Sequence, residues 1–150
     1  MKTKEFFNIE VVNVVAAINQ ILSNADKVKD LPIKFRWALK KNLTALNPTV
    51  KDFEEFRQEL INELQEEYFN EEKSHIEKDE NDNEVRKVND EFMEEYNNKV
   101  QELNGKLQEL LAEKNEYSIH TIDMDAFVEE LPKDTALEFD DIEIFSFMEE

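Results

Sequence analysis

A chain of 150 residues is long enough for one domain with a real core and short for two, and 40% hydrophobic residues, eleven Phe among them, exclude wholesale disorder. One Gly and three Pro are too few for the turns of an all-β fold, and the lack of Cys excludes disulfides, thiolate metal sites and a cysteine nucleophile. The net charge of −19 is split unevenly: residues 1–50 carry +4 and residues 51–150 carry −23, a balance that repels nucleic acid and anionic membranes and attracts basic surfaces.

Lys2–Asn8 reads as a short strand. From Ile9 to Leu22, Val11, Val14/Val15, Ile18 and Ile21/Leu22 recur at helical spacing. Lys2 and Lys4 ahead of this apolar run imitate a leader peptide, but Asn8, Glu10 and Asn13 interrupt it, so a cytoplasmic protein is expected. Ser23–Asp30 is a polar connection. Pro32 suits the first turn of a second helix reaching about Leu46, and Asn47-Pro48 marks a break.

A third helix is expected to start at Pro48, with Val50, Phe53, Phe56, Leu60, Leu64 and Tyr68 as its apolar stripe. A second stripe runs through Val88, Phe92, Tyr96, Val100, Leu103, Leu107 and Leu110/Leu111. The spacings of three and four are those of a coiled-coil seam, so the two segments predict an antiparallel helical hairpin. Its tip, residues 70–87, is polar and predicts a loop or a small β-hairpin around Asp79–Asn83. Tyr117–Ile122 alternates as a half-buried strand and is the natural partner of Lys2–Asn8. Met124–Leu131 predicts a helical turn, and the apolar segment Asp140–Met148 predicts a helix docked on the body. The fold class expected is therefore α+β, predominantly α, in one domain. Residues 1–47 supply a strand and two helices, 48–114 the acidic hairpin, and 115–150 a strand and a short helix.

Few constellations point to chemistry. Asp79, Asn81 and Asn83 imitate the start of a calcium loop, but Glu84 stands where the turn glycine belongs and Asp90 where the bidentate Glu belongs. The segment reads as an acidic turn, with no metal site expected. His120 lies near Asp123 and Asp125 without a nucleophile or oxyanion-hole glycines, so no catalytic residue is assigned and a non-enzymatic protein is expected. With one glycine, no phosphate-binding loop is possible and no cofactor is expected. Lys34, Arg36, Lys40 and Lys41, interleaved with Phe35 and Trp37, superficially imitate a nucleic-acid patch. The plainer reading makes the aromatics core residues and pairs the cations with the acidic hairpin, within the fold or across a homodimer.

The stronger candidate is the acidic face. Glu55, Glu59, Glu63, Glu66, Glu67, Glu71 and Glu72 on the outgoing arm, with Glu91, Glu94 and Glu95 on the return, lie off the apolar stripes. A carboxylate array on a rigid arm can imitate a nucleic-acid backbone, which in DNA carries one charge per about 1.7 Å of axis.

Leu31-Pro-Ile-Lys34, Ala38-Leu-Lys-Lys-Asn42, Phe53-Glu-Glu-Phe-Arg57, Leu60-Ile61, Glu95-Tyr-Asn97, Glu102-Leu103 and the closing Tyr117–Ile122 and Phe145–Glu150 together form a pattern. It resembles a family of small uncharacterised proteins of tailed bacteriophages and prophages. The resemblance implies the cytoplasm of an infected bacterium as the setting and brings no catalytic residues. Two roles follow from it. One is an accessory protein that blocks a basic host or defence protein. The other is virion assembly through apolar residues such as Phe35, Trp37, Phe145 and Phe147.

Overall fold

The computed structural model describes all 150 residues. The elements run β1 (Lys2–Phe7), α1 (Asn8–Leu22), α2 (Ala25–Asp30), α3 (Ile33–Tyr68), β2 (Ser74–Lys78), β3 (Glu84–Val88), α4 (Asp90–Leu111), β4 (Lys114–Ile119), α5 (Met124–Glu130) and α6 (Phe139–Ile144), closing with a 3₁₀ turn at Phe145–Met148. The fold is α+β and mainly α, as expected. Two compact units are formed, residues 1–51 with 112–150 and residues 52–111, and the boundary falls within α3. No helix is long and apolar enough to cross a membrane.

In the first unit the two ends of the chain meet as an antiparallel ladder from Lys2↔Ile119 to Phe7↔Lys114. Strand alternation places Phe6, Tyr117 and Ile119 on the inner face, where they join Val11 and Val15 of α1 and Leu46 of α3. Glu10 accepts a hydrogen bond from the Phe7 N–H at 3.0 Å, which fixes the entry into α1. The larger core cluster gathers Ile18, Ile21, Leu31, Phe35, Leu39, Phe127, Phe145 and Met148. Phe35 stacks on Phe127 at 4.1 Å and meets Phe145 edge-on at 4.8 Å. Each such buried side chain contributes roughly 1.5–3 kcal/mol relative to its exposed state.

Polar contacts finish this unit. Asn42 is fully buried; its Nδ2 donates to the His120 carbonyl at 3.0 Å and its Oδ1 accepts from the His120 N–H at 2.8 Å. A side-chain amide thus stands in for a neighbouring strand. Lys27 reaches Asp141 at 2.8 Å, and Asp141 also accepts from the Glu138 N–H. Burial pushes the Asp141 carboxyl up, but the Glu138 N–H and Lys27 outweigh it and leave the group below the usual aspartate range.

Three expectations are corrected here. The second and third helices are one: α3 runs through Pro48. Proline removes a donor and costs a helix interior about 3 kcal/mol. Anchors on both sides hold the chain helical regardless, with Leu46 buried before it, Val50 packed after it, and Thr49 Oγ1 2.7 Å from the Tyr117 hydroxyl. The polar connection contains a short helix, α2, because Asn24 Oδ1 accepts from the Asp26 and Lys27 N–H groups as an N-cap. The C-terminal strand is shifted, covering Lys114–Ile119. Asn42 captures His120 and ends the ladder, and Ile122 instead makes a parallel bridge to Glu149. Phe139–Ile144 and the 3₁₀ turn dock as expected, with Phe145 and Met148 fully buried.

Candidate interaction surface: the acidic helical hairpin

The second unit is the hairpin itself, carrying seven Lys and Arg against twenty Asp and Glu. The end of α3 and the start of α4 are joined through Tyr96, which meets Tyr68 at 5.4 Å and Phe69 at 5.5 Å. Further along, Leu60 and Leu64 share a groove with Leu103. The seam therefore runs antiparallel, at the spacing the stripes predict. Two helices alone cover it incompletely: Phe53, Leu60, Leu64, Val100 and Leu103 are half-buried, and Phe56 is exposed.

Tyr68 is the fully buried anchor, and its hydroxyl lies beside the Glu95 carboxylate. Burial, with the nearby carboxylates of Glu95 and Glu67, pushes its pKa up to about 12. Lys73 covers the same cluster, its Nζ lying 5.0 Å from the Tyr68 ring and 5.4 Å from the Phe92 ring.

The tip is the β-hairpin of β2 and β3, in register from Ser74↔Val88 to Lys78↔Glu84. Its turn is tied by Asp79 Oδ1, which accepts from the Asn81 and Asn83 N–H groups at 2.9 Å, with Asp82 in the left-handed region at φ 64°. The carboxylate of the calcium-like segment is thereby engaged in the turn. No three His, Asp or Glu side chains lie close enough to hold a metal ion. Below the turn, His75 Nδ1 is 2.6 Å from Asn89 Oδ1 and Nε2 is 2.6 Å from Glu77 Oε1. Lys87 meets the same Glu77 at 3.2 Å. Bonds to Glu77 and Asn89 raise the His75 pKa, since an imidazolium can donate to both.

All ten acidic positions expected to bind a partner are exposed. Glu91, Glu94 and Glu95 line one shallow depression of about 360 Å³ with Asn98, Lys99 and Glu102. Glu63 and Glu67 flank the apolar groove opposite Glu102, where Lys99 and Lys106 interrupt the carboxylates. Lys106 meets Glu102 at 3.6 Å. Glu55 and Glu59 lie further along α3, and Glu71 and Glu72 lie in the turn before β2. The surface is thus an acidic array locally punctuated by lysine.

Other sequence candidates are placed differently. Asp123 caps α5 by accepting from the Ala126 N–H at 3.1 Å, and His120 is held through its main chain by Asn42. Phe35 and Phe145 are core residues, so neither is available to an assembly interface, and Phe147 is half-buried. Trp37 departs from its expected place in the core: it is 58% exposed, with Lys41 Nζ 4.6 Å from its ring. Sequence reasoning missed Asn42 and His75 as organising residues. A lone Asn in an apolar helical run was a readable sign of a buried hydrogen bond; His75 left none. Comparison of the chain with protein-family models, with curated proteins and with solved structures gives no match.

Proposed function

We propose that this is a non-enzymatic acidic interaction protein, encoded by a bacteriophage, that docks its helical hairpin on the nucleic-acid-binding surface of a basic host or defence protein and blocks it. The observation that carries this reading is a 60-residue unit with net charge −13 whose ten candidate acidic residues are all exposed. Charge in that excess exceeds the need of solubility. Its arrangement along helices suits long-range attraction to cationic grooves. The phage origin rests on the resemblance of the helical patterns.

The test is displacement. A labelled DNA duplex is bound to each of a panel of bacterial nucleic-acid-binding proteins, and its release by this protein is followed by fluorescence anisotropy. Release of duplex from at least one basic protein is expected, weakening as salt screens the charges. Release should be lost when Glu59, Glu63 and Glu66 are changed together to Lys. Displacement that survives this reversal, or no displacement from any member, overturns the proposal.

A further inference from the structure

The first five turns of α3 carry a second charged surface of opposite sign. Residues 33–51 hold five Lys and Arg and no Asp or Glu. Phe35, Leu39, Asn42 and Leu46 face the core, and the opposite face presents Ile33, Trp37, Lys40, Lys41 and Thr44, all exposed. Their spacing of four, three, one and three places them on one side of the helix. Ile33 is 78% exposed, and no ion pair within the fold engages Lys34, Arg36, Lys40 or Lys41. Trp and Arg are the residue types enriched at interface hot spots, and the lysines around them suit a polar rim.

We infer that this basic, aromatic face seats the acidic hairpin of a second copy of the chain, so that the protein masks its own carboxylates until a basic partner displaces the copy. Charge complementarity selects the occupant. Glu59 and Glu63 stand four residues apart along α3, the spacing that also separates the exposed Arg36 and Lys40, so carboxylates and cations can meet one helical turn apart. Every copy carries both halves of the contact. A nucleic acid is the less suited occupant, because it presents unbroken negative charge to a chain of −19, whereas a second copy is acidic only in part. Repulsion between the remaining acidic surfaces is screened beyond about 8 Å at physiological salt, while the seated contact is shorter than that. The inference rests on the hairpin being the docking surface proposed above.

Sedimentation velocity of the full chain over a concentration series, at physiological salt, tests it. Concentration-dependent association is expected, and Lys40→Glu with Lys41→Glu should weaken it at least tenfold, as should Trp37→Ala alone. Combining the two lysine reversals with Glu59→Lys and Glu63→Lys in one chain should restore it. All these positions are exposed, and circular dichroism of each variant checks that it is folded. A monomer at every concentration, or association unmoved by the lysine reversals, overturns the inference. Binding of a labelled oligothymidylate to this face, lost in the Trp37 variant, without self-association assigns it to nucleic acid instead. The lysine reversals unmask the carboxylates without altering them, so duplex displacement should be retained or strengthened, and this inference and the proposed function can fail separately.

Discussion

The two units spend their residues in opposite ways. The unit made from both chain ends buries Phe35, Phe145, Ile18, Leu39 and Met148 almost completely. The hairpin unit buries little beyond Tyr68, Val88 and Leu107, relies on a half-covered seam, and carries most of the excess negative charge on its surface. A two-helix arm has too few layers to enclose a core, so its order leans on aromatic contacts and side-chain clamps at the tip. What the arm loses in burial it retains as accessible charged surface. Stability and candidate function thus lie in different stretches of one chain.

The sharpest way to break this contrast is by truncation. Phe35→Ala, which empties the stacked aromatic cluster, should destabilise the first unit by about 3–5 kcal/mol, whereas Leu64→Ala in the half-buried seam should cost about 1–2 kcal/mol. Equal costs in denaturant titration would remove the distinction. Next in size, Asn42→Leu leaves the His120 N–H and carbonyl without their partner and should cost about 2–4 kcal/mol despite adding an apolar side chain to the core.

Smaller effects sharpen the hairpin side. His75 has its pKa raised above the ordinary 6.5, so its double clamp contributes fully below that value and is lost as pH rises through the folded value. Amide exchange in β2 and β3, corrected for intrinsic rates, should therefore quicken as pH rises above 6.5 in the native protein. The His75→Gln variant should show no such step. Smallest of all, Tyr68→Phe removes a buried hydroxyl whose polar neighbour, Glu95, is exposed to water, and its melting temperature should equal that of the native protein or fall only slightly below it. A clear fall would mean that Glu95 holds the hydroxyl firmly in solution.

The sequence is legible where one period repeats. The stripes from Val50 to Tyr68 and from Val88 to Leu111 foretell the hairpin because a seam of this kind depends on spacing alone. The pairing of the chain ends was readable from alternation, although its register was not, since Asn42 decides where β4 stops and periodicity does not encode that grip. Pro48 misleads for a related reason: its local penalty is plain in the sequence, and the burial of Leu46 and Val50 that outweighs it is tertiary. Phe35 and Trp37 differ by only two positions, yet one is core and the other surface. The helical period assigns their faces only once the core-facing side of α3 is fixed by its neighbours. For the candidate site, the exposure of the carboxylates was legible, and their interruption by Lys99 and Lys106 needed the opposite arm in place.

The ladder between β1 and β4 also sets a timetable for synthesis. Residues 52–111 can complete their own contacts as soon as they have emerged from the ribosome. The first unit cannot close then, because Ile18 and Phe35 must wait for Phe145 and Met148, more than a hundred positions later. Until those residues arrive, α1 and the start of α3 present bare apolar faces in the company of an acidic arm that has already been synthesised. A nascent chain of this kind carries its own solubilising charge through the interval when its core is open, which is when aggregation is most costly.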